Sequence, residues 1–249
     1  MRLVCHLQKS CMDLLFPPVC GVCGVRLAVG RMEKMCDDCM RRIRFLRHPL
    51  CPVCGMELPD REGGGHLCGE CLRRLPPYSS ARSLVIYETA VRQLIHKLKY
   101  GGDTSVTGAL LDLIGGYDLS SFADCEWIVP VPLHLARLRT RGLNQAAVLA
   151  RLFFPERERA IRPDGLIRPR STVAQTALRG IDRRKNLKNA FQPGAGFDPK
   201  NAIVCLVDDV FTTGTTVSEC SRVLRHHGAS EVKVLTLARA GIAGGGRHG

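Results

Sequence analysis

The sequence predicts an α/β domain with a mostly parallel sheet flanked by helices, preceded by a small N-terminal metal-binding module. Three observations carry that expectation. Apolar runs of strand length alternate with amphipathic helical patterns from residue 81 onward. Four C-x-x-C pairs fall before residue 72. An apolar run, Val204 to Val207, ends in two adjacent aspartates and a threonine- and glycine-rich turn that opens a helix.

In chain order, Val4, Leu7, Cys11, Leu14 and Leu15 fall at helical spacing, which predicts a short amphipathic helix docked on the body. A membrane-surface helix is the alternative. Lys9 and Asp13 interrupt this stretch, so it lacks the apolar core of a signal peptide. No apolar run approaches the roughly 20 residues that span a bilayer. The expectation is a cytoplasmic protein with no membrane insertion.

Cys20-x-x-Cys23 is followed by Cys36-x-x-Cys39, and Cys51-x-x-Cys54 by Cys68-x-x-Cys71. Gly24 and Gly55 follow the leading pairs and permit the left-handed turn of a metal knuckle, whose amides point at the thiolates. Two knuckles complete a tetrahedral sulfur site, and a d¹⁰ ion suits four soft thiolates, so about two structural Zn²⁺ ions are expected, with iron the alternative. Closure within each quartet is the simpler arrangement, and cross-bracing between quartets the other. Cys5, Cys11, Cys125, Cys205 and Cys220 are scattered, as reduced thiols are, and Cys205 and Cys220 fit small core positions.

The remaining elements follow the alternation. Ser83 to Tyr87 reads as a strand, Ala90 to Tyr100 and Val106 to Ile114 as helices, and Trp127 to Val131 as a strand. Gln145 to Phe154 reads as helix, Ala202 to Val207 as a buried strand, Thr215 to His227 as helix and Val232 to Ala238 as the last strand. Leu75 to Ser80, with two prolines, reads as a linker. Residues 157–199 read as loops, and residues 241–249 as a disordered tail. The expected domains are therefore 1–80, 81–240 and the tail 241–249.

The formal charge of +13 is uneven. Residues 1–80 carry 12 Lys and Arg against 8 Asp and Glu, an excess of +4 that eight thiolates holding two zinc ions would cancel. Between Arg137 and Lys188 there are 14 basic and 4 acidic residues, a local +10. Such a field attracts a polyanion, either a small phosphorylated molecule or nucleic acid. A solvated basic surface with no dedicated partner has the same composition.

Asp208 and Asp209 at a strand end can accept from vicinal ribose hydroxyls. Thr212, Thr213, Gly214, Thr215 and Thr216 offer hydroxyls, amides and a helix N-terminus to a phosphate. This stretch resembles the phosphoribosyl-pyrophosphate motif of type I phosphoribosyltransferases. Val129-Pro-Val131-Pro132, then Arg137, Arg139, Arg141-Gly142 and Asn144-Gln145, resembles the pyrophosphate-loop region of the ComF family. Lys97-Leu-Lys99-Tyr100, Arg168-x-Arg170-x-Thr172-x-x-Gln175-x-x-Leu178 and Arg183-x-x-Asn186-x-x-x-Ala190-Phe191 are similar to it too. With the double zinc ribbon, the resemblance to these competence-associated, type I phosphoribosyltransferase-like proteins spans nearly the whole chain.

The resemblance implies binding of phosphoribosyl pyrophosphate with Mg²⁺, and displacement of pyrophosphate at C1′ by an acceptor nucleophile through an oxocarbenium-like transition state. It assigns Asp208 and Asp209 to the ribose hydroxyls and Thr212 to Thr216 to the 5′-phosphate. Arg141 and its neighbours Val131, Pro132 and Gly142 go to the pyrophosphate side, with Asp208, Asp209 and Arg141 as the catalytic set. Purine-salvage relatives often carry aspartate where this chain has Thr212, which argues against a purine acceptor. Two other functions compete. One is an accessory that handles single-stranded DNA in natural transformation, working with competence proteins. The other is a sensor that binds the ligand without turnover. Aromatic residues make up only 5% of the chain, which disfavours recognition by base stacking.

Overall fold

The computed structural model describes residues 17–59, 65–100, 104–169 and 189–241. The helix expected near the N-terminus, the tail beyond 241, and Arg170, Thr172, Gln175, Leu178, Arg183 and Asn186 lie outside those residues. Packing divides the chain into two units, Met1–Arg44 with Glu88–Tyr117, and Phe45–Tyr87 with Asp118–Gly249. That division cuts across the expected boundary at residue 80, because each cysteine quartet falls in a different unit.

The first unit holds one quartet, the short helix α1 (Asp37–Arg41) and two longer helices, α2 (Thr89–Tyr100) and α3 (Thr104–Ile114). Val91, Leu94, Ile95 and Leu98 recur at helical spacing on α2 and are buried, as are Val106, Ala109, Leu110 and Leu113 on α3. The knuckle is tied to these helices by charge. Lys97 Nζ donates to the carbonyls of Gly21 and Val22, each at 2.9 Å. Asp112 Oδ2 accepts from the Lys34 amide at 2.5 Å.

The second unit holds the other quartet, the short helix α4 (Gly69–Arg73) and the sheet. Its strands are β1 (Ser80–Ile86), β2 (Trp127–Pro130), β5 (Ile203–Phe211) and β6 (Glu231–Arg239), all parallel in the order β1-β6-β5-β2. Helices α5 (Leu135–Arg141) and α6 (Gln145–Phe153) follow β2, and α7 (Thr215–His226) follows β5. Val204, Leu206, Val232 and Val234 join Val217, Cys220 and Leu224 of α7 in one core. Continuous apolar burial is what a sheet covered on both faces requires. Cys205 and Cys220 are fully buried, as small core residues should be.

Two expectations are corrected. Leu75 to Ser80 is not a free linker. Tyr78 is buried and meets Phe211 edge to face at 6.3 Å, the Ser79 amide donates to Val232 O at 2.9 Å, and β1 already begins at Ser80. The prolines keep this approach extended, and the buried ring anchors it. Residues 157–199 contain a 3₁₀ turn, Pro155–Ala160, and a two-stranded ladder of β3 (Leu166–Ile167) and β4 (Gln192–Pro193). Helix α5 occupies the stretch that resembles the pyrophosphate-loop region. Along the open edge of β1, Phe45 bridges Val85 antiparallel and the Leu46 amide donates to Leu84 O at 3.0 Å.

Candidate functional site

Each quartet closes on itself, with its four sulfur atoms within 4.8 Å of one another. Cys23 Sγ lies 3.8 Å from Cys36 Sγ, and Cys54 Sγ 3.5 Å from Cys68 Sγ. A tetrahedron with Zn–S bonds of about 2.3 Å has edges of about 3.8 Å, so both sites fit zinc and cross-bracing is ruled out. Gly24 and Gly55 take the left-handed φ values of 75° and 69° that the knuckle turn needs. Cys36 and Cys68 amides donate to Cys20 Sγ at 3.3 Å and Cys51 Sγ at 3.4 Å. Burial alone would raise the Cys20 thiol, but amide donors, Cys23 first, outweigh it and lower it to about 6. The same balance lowers Cys51 to about 7. Cys54 is pushed up to about 11, chiefly by burial, with neighbouring thiols adding to it, a repulsion that a dication would remove.

The quartets differ in exposure. Cys23 is exposed and Cys36 partly so, whereas all four members of the second quartet are buried. There Arg239 donates Nη1 to Cys54 O at 2.7 Å and brings Nη2 to 3.8 Å from Cys54 Sγ.

The aspartate pair does not stand beyond the strand. Strand β5 runs on to Phe211, pairing Asp208 with Thr236 and Val210 with Ala238 of β6. On its other side β2 stops at Pro130 opposite Val207. The carboxylates therefore flank a notch where β5 has lost one neighbour, the crevice at strand carboxyl ends where open α/β sheets take ligands. Both residues are half-buried. Asp208 acts electrostatically on buried Cys220 and on Arg168, which places it on the α7 side. Strand alternation then puts Asp209 on the opposite face. The Asp209 amide donates to Asp208 Oδ1 at 2.9 Å.

The turn beyond β5 is shaped by glycine. Gly214 has φ 69° and is the N-cap of α7, where a glycine supplies no side-chain cap of its own. A Cβ there would lie 2.7 Å from Phe211 Cζ, so the ring closes the space beneath the turn. Thr213 and Thr215 share a hydroxyl hydrogen bond of 2.7 Å, and Thr212 and Thr213 face solvent. A glycine-started N-terminus of a twelve-residue helix, ringed by hydroxyls, is chemically suited to an anion.

The other wall comes from the segment after β2. Val131 and Pro132, expected at the site, are buried, and the Val131 amide donates to Val207 O at 2.8 Å. Arg141 ends α5, Gly142 caps it with φ 73°, and Arg141 Nη1 reaches Gln145 Oε1 at 3.4 Å. Asn144 donates Nδ2 to Val131 O at 3.1 Å while its Oδ1 caps α6 at Ala146. Helix α5 buries no residue and carries Arg137, Arg139 and Arg141.

Arg168 was legible as a motif residue but not as a member of this site. It is buried, stacks over Phe191 at 5.3 Å, and has its guanidinium pKa lowered by burial and then by Arg137, with Asp208 opposing. The electrostatic influence of Asp208 on it links β5 to the basic stretch, a relation that only the folded chain supplies.

Family comparisons agree with this layout. A double zinc ribbon domain family matches residues 11–72, and a phosphoribosyl transferase domain family matches residues 139–246. The chain is 32% identical over 232 residues to the DNA utilization protein YhgH of Escherichia coli K12, covering 91% of this chain and 99% of that protein. It is 32% identical over 235 residues to Competence protein F of Haemophilus influenzae, covering 89% and 96%. Competence protein ComFC of Bacillus subtilis is 25% identical over 220 residues, covering 84% and 85%.

Proposed function

Because this chain belongs to the ComF family, which joins a double zinc ribbon to a type I phosphoribosyltransferase-like domain, we propose that it binds phosphoribosyl pyrophosphate with Mg²⁺ and transfers the phosphoribosyl group to an acceptor. The carrying observation is the glycine-started, threonine-rich α7 directly after the aspartate-bearing end of β5. In this reading the amides and hydroxyls of Thr212 to Thr216 hold the 5′-phosphate. Asp208 and Asp209 accept from the ribose hydroxyls, one from each side of β5. Arg141, at the Gly142 turn, stands on the pyrophosphate side with Val131 and Pro132 shaping the wall behind it. Magnesium, when bound with the ligand, neutralises phosphate charge. The chain's own contribution is to orient C1′ towards the acceptor and to stabilise the departing pyrophosphate with arginine, so catalysis rests on positioning and charge. Residues 81–240 carry this site, and residues 1–80 the ribbon module.

The names of the relatives favour a second reading, in which the basic stretch holds single-stranded DNA without turnover. Against it, several of those arginines are committed inside the fold. Arg157 donates to the carbonyls of Phe122 and Cys125, and Arg162 lies over Trp127 and Phe197 at 5.2 and 5.4 Å. Arg168 is buried. Calorimetric titration of the zinc-loaded protein with phosphoribosyl pyrophosphate, with and without magnesium, tests the proposal, with single-stranded DNA as competitor. Saturable, magnesium-dependent binding indifferent to DNA is expected. Salt-steep DNA binding with no response to the small ligand would replace this reading by the second.

A further inference from the structure

The second cysteine knuckle and the threonine turn are joined through one buried arginine. Arg239, the last residue of β6, is 9% exposed. Its Nη1 donates to Cys54 O at 2.7 Å, and its Nη2 lies 3.8 Å from Cys54 Sγ. The same guanidinium sits over the Phe211 ring at 4.5 Å from the centroid, and β5 and β6 pair Phe211 with Arg239 in register. Phe211 fills the space under Gly214, where a Cβ would come within 2.7 Å of Cζ. Tyr78, in the segment leading from the knuckle, meets the same ring edge to face at 6.3 Å. The knuckle itself is clamped to the sheet, since the Ala81 amide donates to Val53 O at 2.6 Å and Arg82 Nη1 to Pro52 O at 2.9 Å.

We propose that Arg239 is a positioning residue for the phosphate cradle, transmitting the metal-held geometry of the Cys51–Cys54 knuckle to Gly214 through the ring of Phe211. A planar guanidinium can donate in its plane to a carbonyl while its face covers an aromatic ring, which a lysine cannot do at once. The first quartet has no such role in this chain of contacts, because every residue in it belongs to the unit of the second quartet. The ordering of four thiolates by one ion is stiff, whereas a turn of threonines is soft, so the direction of support runs from knuckle to turn. As a device for the ligand, this rests on the phosphoribosyl pyrophosphate reading. As a mechanical link, it does not.

The test is amide hydrogen exchange on zinc-loaded protein, comparing the parent with Arg239→Met and Arg239→Lys. Loss of a charge-assisted hydrogen bond and a ring contact should speed exchange in residues 212–216 about tenfold or more in Arg239→Met, with zinc still bound. Arg239→Lys should fall between the two, and exchange in α6 should stay at the parent rate. Phe211→Leu, which leaves the knuckle contacts intact, should reproduce the effect and guards against misfolding of the arginine variants. Unchanged exchange at 212–216 in both Arg239→Met and Phe211→Leu, or equal acceleration throughout the sheet, would overturn the link. Calorimetry on the same proteins reads the functional half, where phosphoribosyl pyrophosphate should bind about tenfold more weakly to Arg239→Met. A parent that fails to bind that ligand sinks the proposed function while the exchange result still decides the link.

Discussion

The side-chain amide of Asn144 donates to the main-chain oxygen of Val131 at 3.1 Å, fastening the start of α6 to the end of β2. Its other end caps α6, so one residue fixes both ends of the segment that carries Arg141. Asn144→Ala should lower stability by about 1–3 kcal/mol, a lost cap plus a lost hydrogen bond, read by thermal or urea unfolding. Asn144→Asp keeps the cap acceptor and loses the donor, so it should lie nearer the parent. Equal losses in both variants would show that the tether, rather than the cap, dominates.

The two aspartates should separate in behaviour. Asp209→Ala is expected to weaken magnesium-dependent binding of phosphoribosyl pyrophosphate by about one to two decades with little effect on unfolding, a charge-assisted contact being worth about 1.5–3 kcal/mol. Asp208→Ala removes an anion whose field favours the charged form of buried Arg168, so it should also lower the unfolding midpoint. Calorimetry paired with denaturation distinguishes them, and parent-like binding by both variants would reject the site assignment.

Metal uptake should depend on pH with a definite sign. Amide donors bring Cys20 to about 6 and Cys51 to about 7, from an ordinary value of 9.0. Each thiolate is thus present above its lowered value and lost as pH falls through it. Zinc uptake by metal-free protein should slow as pH falls from 9, because Cys54 and other raised thiols must still lose protons, and slow more steeply below about 7, where Cys51 and then Cys20 are protonated too, ending at about two ions per chain. A rate with no steepening below pH 7 would contradict this. Because Cys23 is exposed, a competing chelator should empty the first quartet before the second.

Within the basic stretch, Arg141 and Arg159 form the informative pair. Arg141→Ala should abolish binding of the small ligand, while exposed Arg159→Ala should leave it near the parent. Arg157 is unsuited as a peripheral control, since its guanidinium holds the carbonyls of Phe122 and Cys125. If every arginine removed instead lowers the salt slope for single-stranded DNA by about 0.7, the stretch follows a nucleic-acid backbone.

Sequence reasoning reached what is local. Leu94, Ile95 and Leu98 announce their helix by spacing, the C-x-x-C-G turns announce their metal, and Val204 to Val207 announce a buried strand. It stopped where the determinant is a partner far along the chain. Nothing near Cys54 says that Arg239, 185 positions later, will hold it, or that Tyr78 will close on Phe211. The continuation of β5 through Asp208 and Asp209 is dictated by β6, which supplies ladder partners that charged residues would not otherwise recruit.

The short antiparallel bridge from Phe45 and Leu46 to β1 bears on the order in which the molecule is made. Strand β1 leaves the ribosome long before β6, its sheet partner, and until then both of its backbone edges are open to another chain. Phe45 and Leu46 precede β1 and can cover one edge as soon as it emerges. A nascent chain therefore waits for its last strand with the end of one edge already covered, at Leu84 and Val85. Polypeptides started after residue 46 should be the ones that aggregate during synthesis.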